Sequence, residues 1–106
     1  MIRNGGTLDG VRILGPRAAK LMTTNQVGTL HSSNGLGFGL GFQSVDRYGA
    51  SGMAEVGAFG WGGAYGTTYQ VDRASRMVVV LMLQLMPNGT DIQPKFMTSV
   101  YQALVN

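Results

Sequence analysis

At 106 residues the chain can form one compact domain with a modest core, burying roughly 60–70% of its unfolded surface, and leaves no room for a second. Charged residues make up 12% against 44% apolar, about half the charged share of a usual soluble domain, so the fold is expected to present apolar or bare backbone surface to a partner. The net charge of +3 comes from eight basic residues, Arg3, Arg12, Arg17, Lys20, Arg47, Arg73, Arg76 and Lys95, scattered singly, and without a basic stripe this argues against nucleic acid.

In chain order, Met1-Ile-Arg-Asn followed by Gly5-Gly6 reads as a last helical turn stopped by glycine. Asp9-Gly10, between Leu8 and Val11, predicts a tight hairpin. Pro16 suits the first turn of a helix, and Ala18, Leu21 and Met22 continue it at helical spacing over 16–25. From Gly35 the text alternates Gly-Leu-Gly-Phe-Gly-Leu-Gly-Phe, predicting one strand over 36–45 with Leu36, Phe38, Leu40 and Phe42 on one face and glycines on the other. Glycines in register imply that another backbone or a bulky side chain lies close against that face. Residues 48–58 form a glycine-rich stretch without periodicity, expected to be a mobile loop.

Three more strands are expected at 59–63, 67–72 and 77–84, joined by connections short enough for an antiparallel meander. The run from Val78 to Leu83 lacks alternation and so is expected to be the central strand, covered on both faces. After Pro87-Asn-Gly-Thr90, Asp91 can cap a helix carrying Ile92, Phe96, Val100, Leu104 and Val105 as one apolar stripe that packs on the sheet. The methionines read as core filler.

Several chemistries fail on spacing. No cysteine occurs, which removes disulfides, thiolate zinc sites and thiol nucleophiles. Asp9, Asp46, Glu55, Asp72 and Asp91 never fall at metal-ligand spacing, and one histidine, His31, cannot found a transition-metal site, so neither metal nor cofactor is expected. The Gly35–Gly41 run breaks the dinucleotide and phosphate-loop patterns because position 40 is Leu. No serine has lysine three residues on and no tyrosine has asparagine two residues on, so the proton-transfer pairs of penicillin-recognising serine enzymes are lacking. Ser44-Val-Asp-Arg47 comes nearest, but arginine cannot act as a base. His31-Ser32-Ser33 offers triad letters that adjacency alone cannot orient. Asn88-Gly-Thr90 fits a glycosylation acceptor and equally a plain turn. Met1 to Gly6 has no apolar signal-peptide core, and the apolar run 77–83 is too short to cross a bilayer, so a soluble chain of undetermined compartment, without a membrane partner, is expected.

What remains is Phe59-Gly-Trp-Gly-Gly-Ala-Tyr-Gly-Thr67. Taken with the opening Met1-to-Leu14 segment, Pro16, Leu21-Met-Thr23, the Gly-Leu-Gly-Phe repeat and Val71-Asp72, all in order, it resembles the C-terminal part of class C β-lactamase-like proteins and family VIII carboxylesterases. The resemblance covers the whole chain, and such proteins are three to four times longer. It implies that Trp61-Gly62-Gly63 is the variant of the Lys-Thr-Gly motif on the strand walling the active site, and that the Ala64 backbone N–H supplies one oxyanion-hole donor. Trp61 as an ordinary core aromatic is the alternative. Gly15 stands where relatives often cap a helix with serine, Gln70 where they often carry an aromatic, and Arg73 where proline often follows the aspartate.

The sequence therefore predicts an α+β fold spanning 1–106 as a single partial domain: an antiparallel sheet of three strands over 59–84, the 36–45 strand beside it, and a C-terminal helix across one face. Two functions compete. One is the wall of a serine esterase or β-lactamase-like site, inactive alone because no nucleophile motif is present; the other is a non-catalytic module that self-associates. The expected partner is a second copy or a missing N-terminal segment, with an ester or β-lactam substrate only in the complete protein.

Overall fold

The computed structural model describes residues 1–105. A 3-10 turn over Ile2–Asn4 leads into a two-stranded hairpin, β1 (Thr7–Leu8) and β2 (Val11–Arg12), closed as expected by Asp9 and Gly10 at φ 50° and 79°, the positive values that a twisted two-residue turn requires. Helix α1 (Pro16–Thr23) begins at the expected proline but ends two residues early. Thr24 is extended, and Asn25 turns its side chain to the neighbouring sheet, where Oδ1 accepts from the Phe38 N–H at 3.3 Å and Nδ2 donates to Asp46 Oδ2 at 2.8 Å.

The main sheet has five strands in the order β3-β4-β5-β6-β7, all antiparallel. These are β3 (Leu36–Phe38), β4 (Gln43–Val45), β5 (Phe59–Gly62), β6 (Thr68–Asp72) and β7 (Met77–Leu81). The expected single strand over 36–45 is a hairpin instead. Leu36 pairs with Val45 and Phe38 with Gln43, so Leu40 and Phe42 do not extend the face of Leu36 and Phe38. Period-two patterning survives on either side of a turn, which is why the break is invisible in the letters. The close neighbour anticipated for the glycine face is present. A Cβ on Gly37 would fall 2.2 Å from the Asn25 side chain and one on Gly39 2.1 Å from the Met22 carbonyl oxygen, so the end of α1 lies directly against bare backbone.

A second correction concerns β7. It is the edge strand among the described residues, not the central one, with Val79 buried and Val78 and Val80 52% and 54% exposed. Apolar residues on both faces fit a strand with cover on each side, whereas α2 (Ile92–Gln102) covers one face alone. Helix α2 also buries a different stripe. Its one buried residue is Tyr101, Ile92 is exposed, and Leu104 and Val105 lie beyond its end. Asp91 occupies the cap position but makes no capping bond; its carboxylate pairs with Lys95 Nζ at 2.7 Å.

Residues 48–58 form successive turns that carry Ala54 and Ala58, both essentially buried, into the core with Val45 and Tyr101, against which Leu36 and Met77 pack. Asp72, 1% exposed, ties three elements together. Its Oδ2 accepts from the Tyr101 hydroxyl at 2.8 Å and the Glu55 N–H at 3.2 Å, its Oδ1 accepts from the Ser75 N–H at 3.0 Å, and Gln70 Nε2 donates to the Tyr101 oxygen at 3.0 Å. No helix among the described residues is long and apolar enough to cross a membrane.

Candidate active-site wall

Strand β5 ends at Gly62, paired with Thr68, and the chain turns back through Gly63, Ala64, Tyr65 and Gly66. The Gly63 N–H donates to Thr67 O at 2.9 Å and the Gly66 N–H to Gly63 O at 3.0 Å, closing a four-residue turn. Four further bonds brace it. The Leu85 N–H donates to Tyr65 O at 3.1 Å, Thr67 Oγ1 exchanges bonds with the Leu83 backbone at 3.2 Å each way, and Gln93 Nε2 of α2 donates to Gly66 O. The turn is thus held by bonds from its own strand, from the segment after β7 and from α2.

Within this frame the Ala64 N–H has no acceptor among the described residues. Gly63 is open: a Cβ there would meet nothing within 4 Å, whereas one on Gly60, buried in the same strand, would fall 2.1 Å from Tyr69 O. Trp61, Gly62, Gly63 and Ala64 are all exposed. With Gln93 they line a shallow recess that shares Trp61, Gly62 and Gln93 with a cleft of about 440 Å³ between the sheet, residues 51–53 and α2. Neither lining contains a Lys, Arg, Asp or Glu.

Trp61 is 46% exposed in this chain. Its ring meets Phe38 edge-on at 5.0 Å between centroids and lies 6.0 Å from the His31 ring, itself 5.2 Å from Phe38. The placement of His31 beside Trp61 has no signal in the sequence, because it depends on the β3–β4 hairpin. His31 Nε2 and the Gln43 side-chain amide are hydrogen-bonded at 2.8 Å. Ser32 Oγ accepts from the Asn34 N–H at 3.0 Å and His31 bonds to Gln43, so among the described residues no hydrogen bond joins His31 to Ser32 as a triad would need. Ser44 is buried and donates to Asp46 Oδ1 at 2.9 Å, which withdraws it from nucleophilic use.

Burial raises the Asp72 carboxyl, but hydrogen bonds from Ser75, Tyr101 and Glu55 outweigh it and bring the group below its ordinary range. Burial, then the bond to the Asp72 carboxylate, pushes the Tyr101 hydroxyl well above the usual tyrosine value. Asp72 therefore stays ionised and Tyr101 neutral at neutral pH; Tyr101 lines the cleft, and the buried Asp72 holds it in place. Among the described residues no group of three or more His, Asp or Glu side chains could hold a metal ion.

The antiparallel sheet backed by a C-terminal helix is the C-terminal portion of a β-lactamase-like serine hydrolase fold. The chain belongs to the β-lactamase family, whose model matches residues 1–100. It is 29% identical to the uncharacterized protein MT1414 of Mycobacterium tuberculosis (strain CDC 1551 / Oshkosh) and to protein Rv1367c of Mycobacterium tuberculosis (strain ATCC 25618 / H37Rv), over 134 residues covering 98% of this chain and 33% of each relative. Among solved structures it is similar to EstCE1, described as a hydrolase with promiscuous acyltransferase activity, with a TM-score of 0.70 and 28% identity over 89% of this chain and 24% of EstCE1. The chain spans a third of the curated relatives' length and about a quarter of EstCE1.

Proposed function

We propose that this chain supplies one wall of a serine hydrolase site that takes ester substrates, with Trp61 to Ala64 facing the acyl group. The observation that carries the reading is the unpaired Ala64 N–H at the end of a braced turn, next to a glycine whose missing side chain opens onto the recess. In acyl transfer the carbonyl oxygen becomes an oxyanion, and a fixed N–H aimed at it lowers the barrier because no reorganisation is needed as charge develops. Gly62 and Gly63 let the substrate carbonyl approach backbone, and Trp61 gives the entrance an apolar rim. The uncharged lining that this chain contributes suits a neutral ester. EstCE1, a hydrolase by its description, supports the same class.

The 106 residues contain no Ser-x-x-Lys, so the nucleophile, its base and the second oxyanion donor belong to an N-terminal part of the kind found in the family. Alone, the chain is expected to leave a p-nitrophenyl ester and a chromogenic cephalosporin at background rates, with no serine labelled by a fluorophosphonate. Joined to such an N-terminal part, it should hydrolyse the ester. Gly63→Val should then lower turnover on the order of 10² to 10³ while the two parts still bind. Val79→Ala in β7 is the control: it should cost about 1–3 kcal/mol of stability through a cavity and leave turnover per folded molecule unchanged. Parental turnover in the Gly63 variant would remove the assigned role of this strand.

A second reading, a non-catalytic module that self-associates, is favoured by the exposed valines of β7. It predicts assembly without any activity on joining.

A further inference from the structure

We infer that Gln93 is a positioning residue for the oxyanion donor: its side-chain amide ties the first turn of α2 to the Gly63–Gly66 turn and so fixes the direction of the Ala64 N–H. This rests on the role proposed above for Ala64.

The turn that carries Ala64 has short internal bonds, from Gly63 N–H to Thr67 O and from Gly66 N–H to Gly63 O. Those bonds set its shape but not its tilt relative to the cleft. Tilt is decided by what grips the turn from outside. The Leu85 N–H grips Tyr65 O on one side, and Gln93 Nε2 grips Gly66 O on the other. Gly66 is buried and has φ 95°, and a Cβ there would fall 2.0 Å from Asn88 Nδ2, so the gripped carbonyl sits in a packed place where small rotations are resisted. Gly66 is linked to the Ala64 amide through its own N–H, which donates to Gly63 O, and that carbonyl shares one rigid peptide plane with the Ala64 N–H, so a hold on Gly66 O reaches the donor across the two torsions of Gly66.

Gln93 is the one α2 residue that lines the shallow recess as well as the cleft. It is half-buried and one residue into the helix. Helix α2 is itself anchored at its far end, where Tyr101 donates to the buried Asp72. The helix thus runs from a fixed buried carboxylate to the turn that presents the donor. A loss of the Gln93 bond removes the hold of α2 on the turn while leaving the Leu85 bond, the Asp72 anchor and the core intact.

Selective ¹⁵N-alanine labelling reads this directly, because Ala64 reports the turn while Ala54 and Ala58 report the core. Gln93→Met keeps the length and volume of the side chain and removes the donor, whereas Gln93→Lys keeps a donor of similar reach. In Gln93→Met the Ala64 amide resonance should move or broaden and its hydrogen exchange quicken several-fold, with Ala54 and Ala58 unmoved; Gln93→Lys should stay close to the parent. An unmoved Ala64 in Gln93→Met, equal shifts in both variants, or displacement of all three alanines would each overturn the assignment, the last because Gln93 would then be a residue of the whole fold. In the joined enzyme Gln93→Met should lower kcat about tenfold with KM within twofold, the pattern of a weakened donor used in the transition state. If Ala64 responds as expected but kcat does not change, the positioning holds and the oxyanion role of Ala64 fails. If Ala64 is unmoved while Gly63→Val abolishes turnover, the function holds and the role of Gln93 fails.

Discussion

Asp72 shows how far one side chain can organise a small fold. A buried carboxylate is tolerated only when donors surround it, and here the donors come from α2, from the 48–58 segment and from the turn after β6. Tyr101→Phe removes one of them and also strands Gln70 Nε2, so it should destabilise by about 1–3 kcal/mol, measured by denaturant unfolding. The pH dependence follows from the directions of the two shifts. Asp72 is lowered in the folded state, so its contribution is complete above the ordinary aspartate value near 4 and is lost as pH falls through the lower folded value. Tyr101 is raised, so its contribution is complete below about pH 10 and is lost above that as the hydroxyl is forced to ionise. Melting should therefore be flat through neutrality and fall on both flanks. Asp72→Asn should shrink the acid flank; an acid flank unchanged in that variant would mean that another carboxylate governs it.

Among the elements, the β3–β4 hairpin and α1 depend on each other through glycine. Because the Met22 and Thr24 carbonyl oxygens sit within 3 Å of a Cβ on Gly39, Gly39→Ala must push α1 off the sheet and should cost about 1–3 kcal/mol. Gly15→Ser is the matched control: its Cβ points into open space at the N-cap of α1, and a serine there should be neutral or stabilise by a few tenths of a kcal/mol. Equal melting temperatures for the Gly39 variant and its parent would show that the helix end is not held there. The same elements show what the letters carry. Asp9-Gly10, Pro16 and the short connections of the meander are local signals, and each appears where expected. The candidate site strand could be proposed from the letters because Trp61-Gly62-Gly63 is a contiguous motif. The hairpin break at residues 39–42, the edge position of β7 and the use of Tyr101 over Phe96 were not, since each depends on which distant segment arrives as neighbour. Gln93 was unreadable for the same reason: a lone amide in a helix becomes meaningful only when its partner, 27 residues earlier, is known.

At the scale of the molecule, the core is small and the apolar surface large. Few large side chains are fully buried, while Val78, Val80, Met82, Leu85 and Met86 are all more than half exposed along and after β7. This stretch combines an unpaired strand edge among the described residues with β-branched residues and one basic residue, Arg76, at its start. Exposed edges of this composition pair with whatever strand is available. In the complete protein that neighbour is proposed to be an N-terminal segment; in the 106-residue chain it is proposed to be a second copy of β7. At tens of micromolar the chain should sediment as a dimer or larger species, not as an 11.2 kDa monomer. Val80→Lys places a charge on the exposed face of β7, opposite Tyr69 in the register, and should shift the assembly toward monomer without disturbing the buried Val79. Addition of a family N-terminal part should dissociate the assembly by occupying the same edge. A monomer with a cooperative melt at that concentration would show that the valines of β7 need no cover, and the partner proposed for this edge would fall with it.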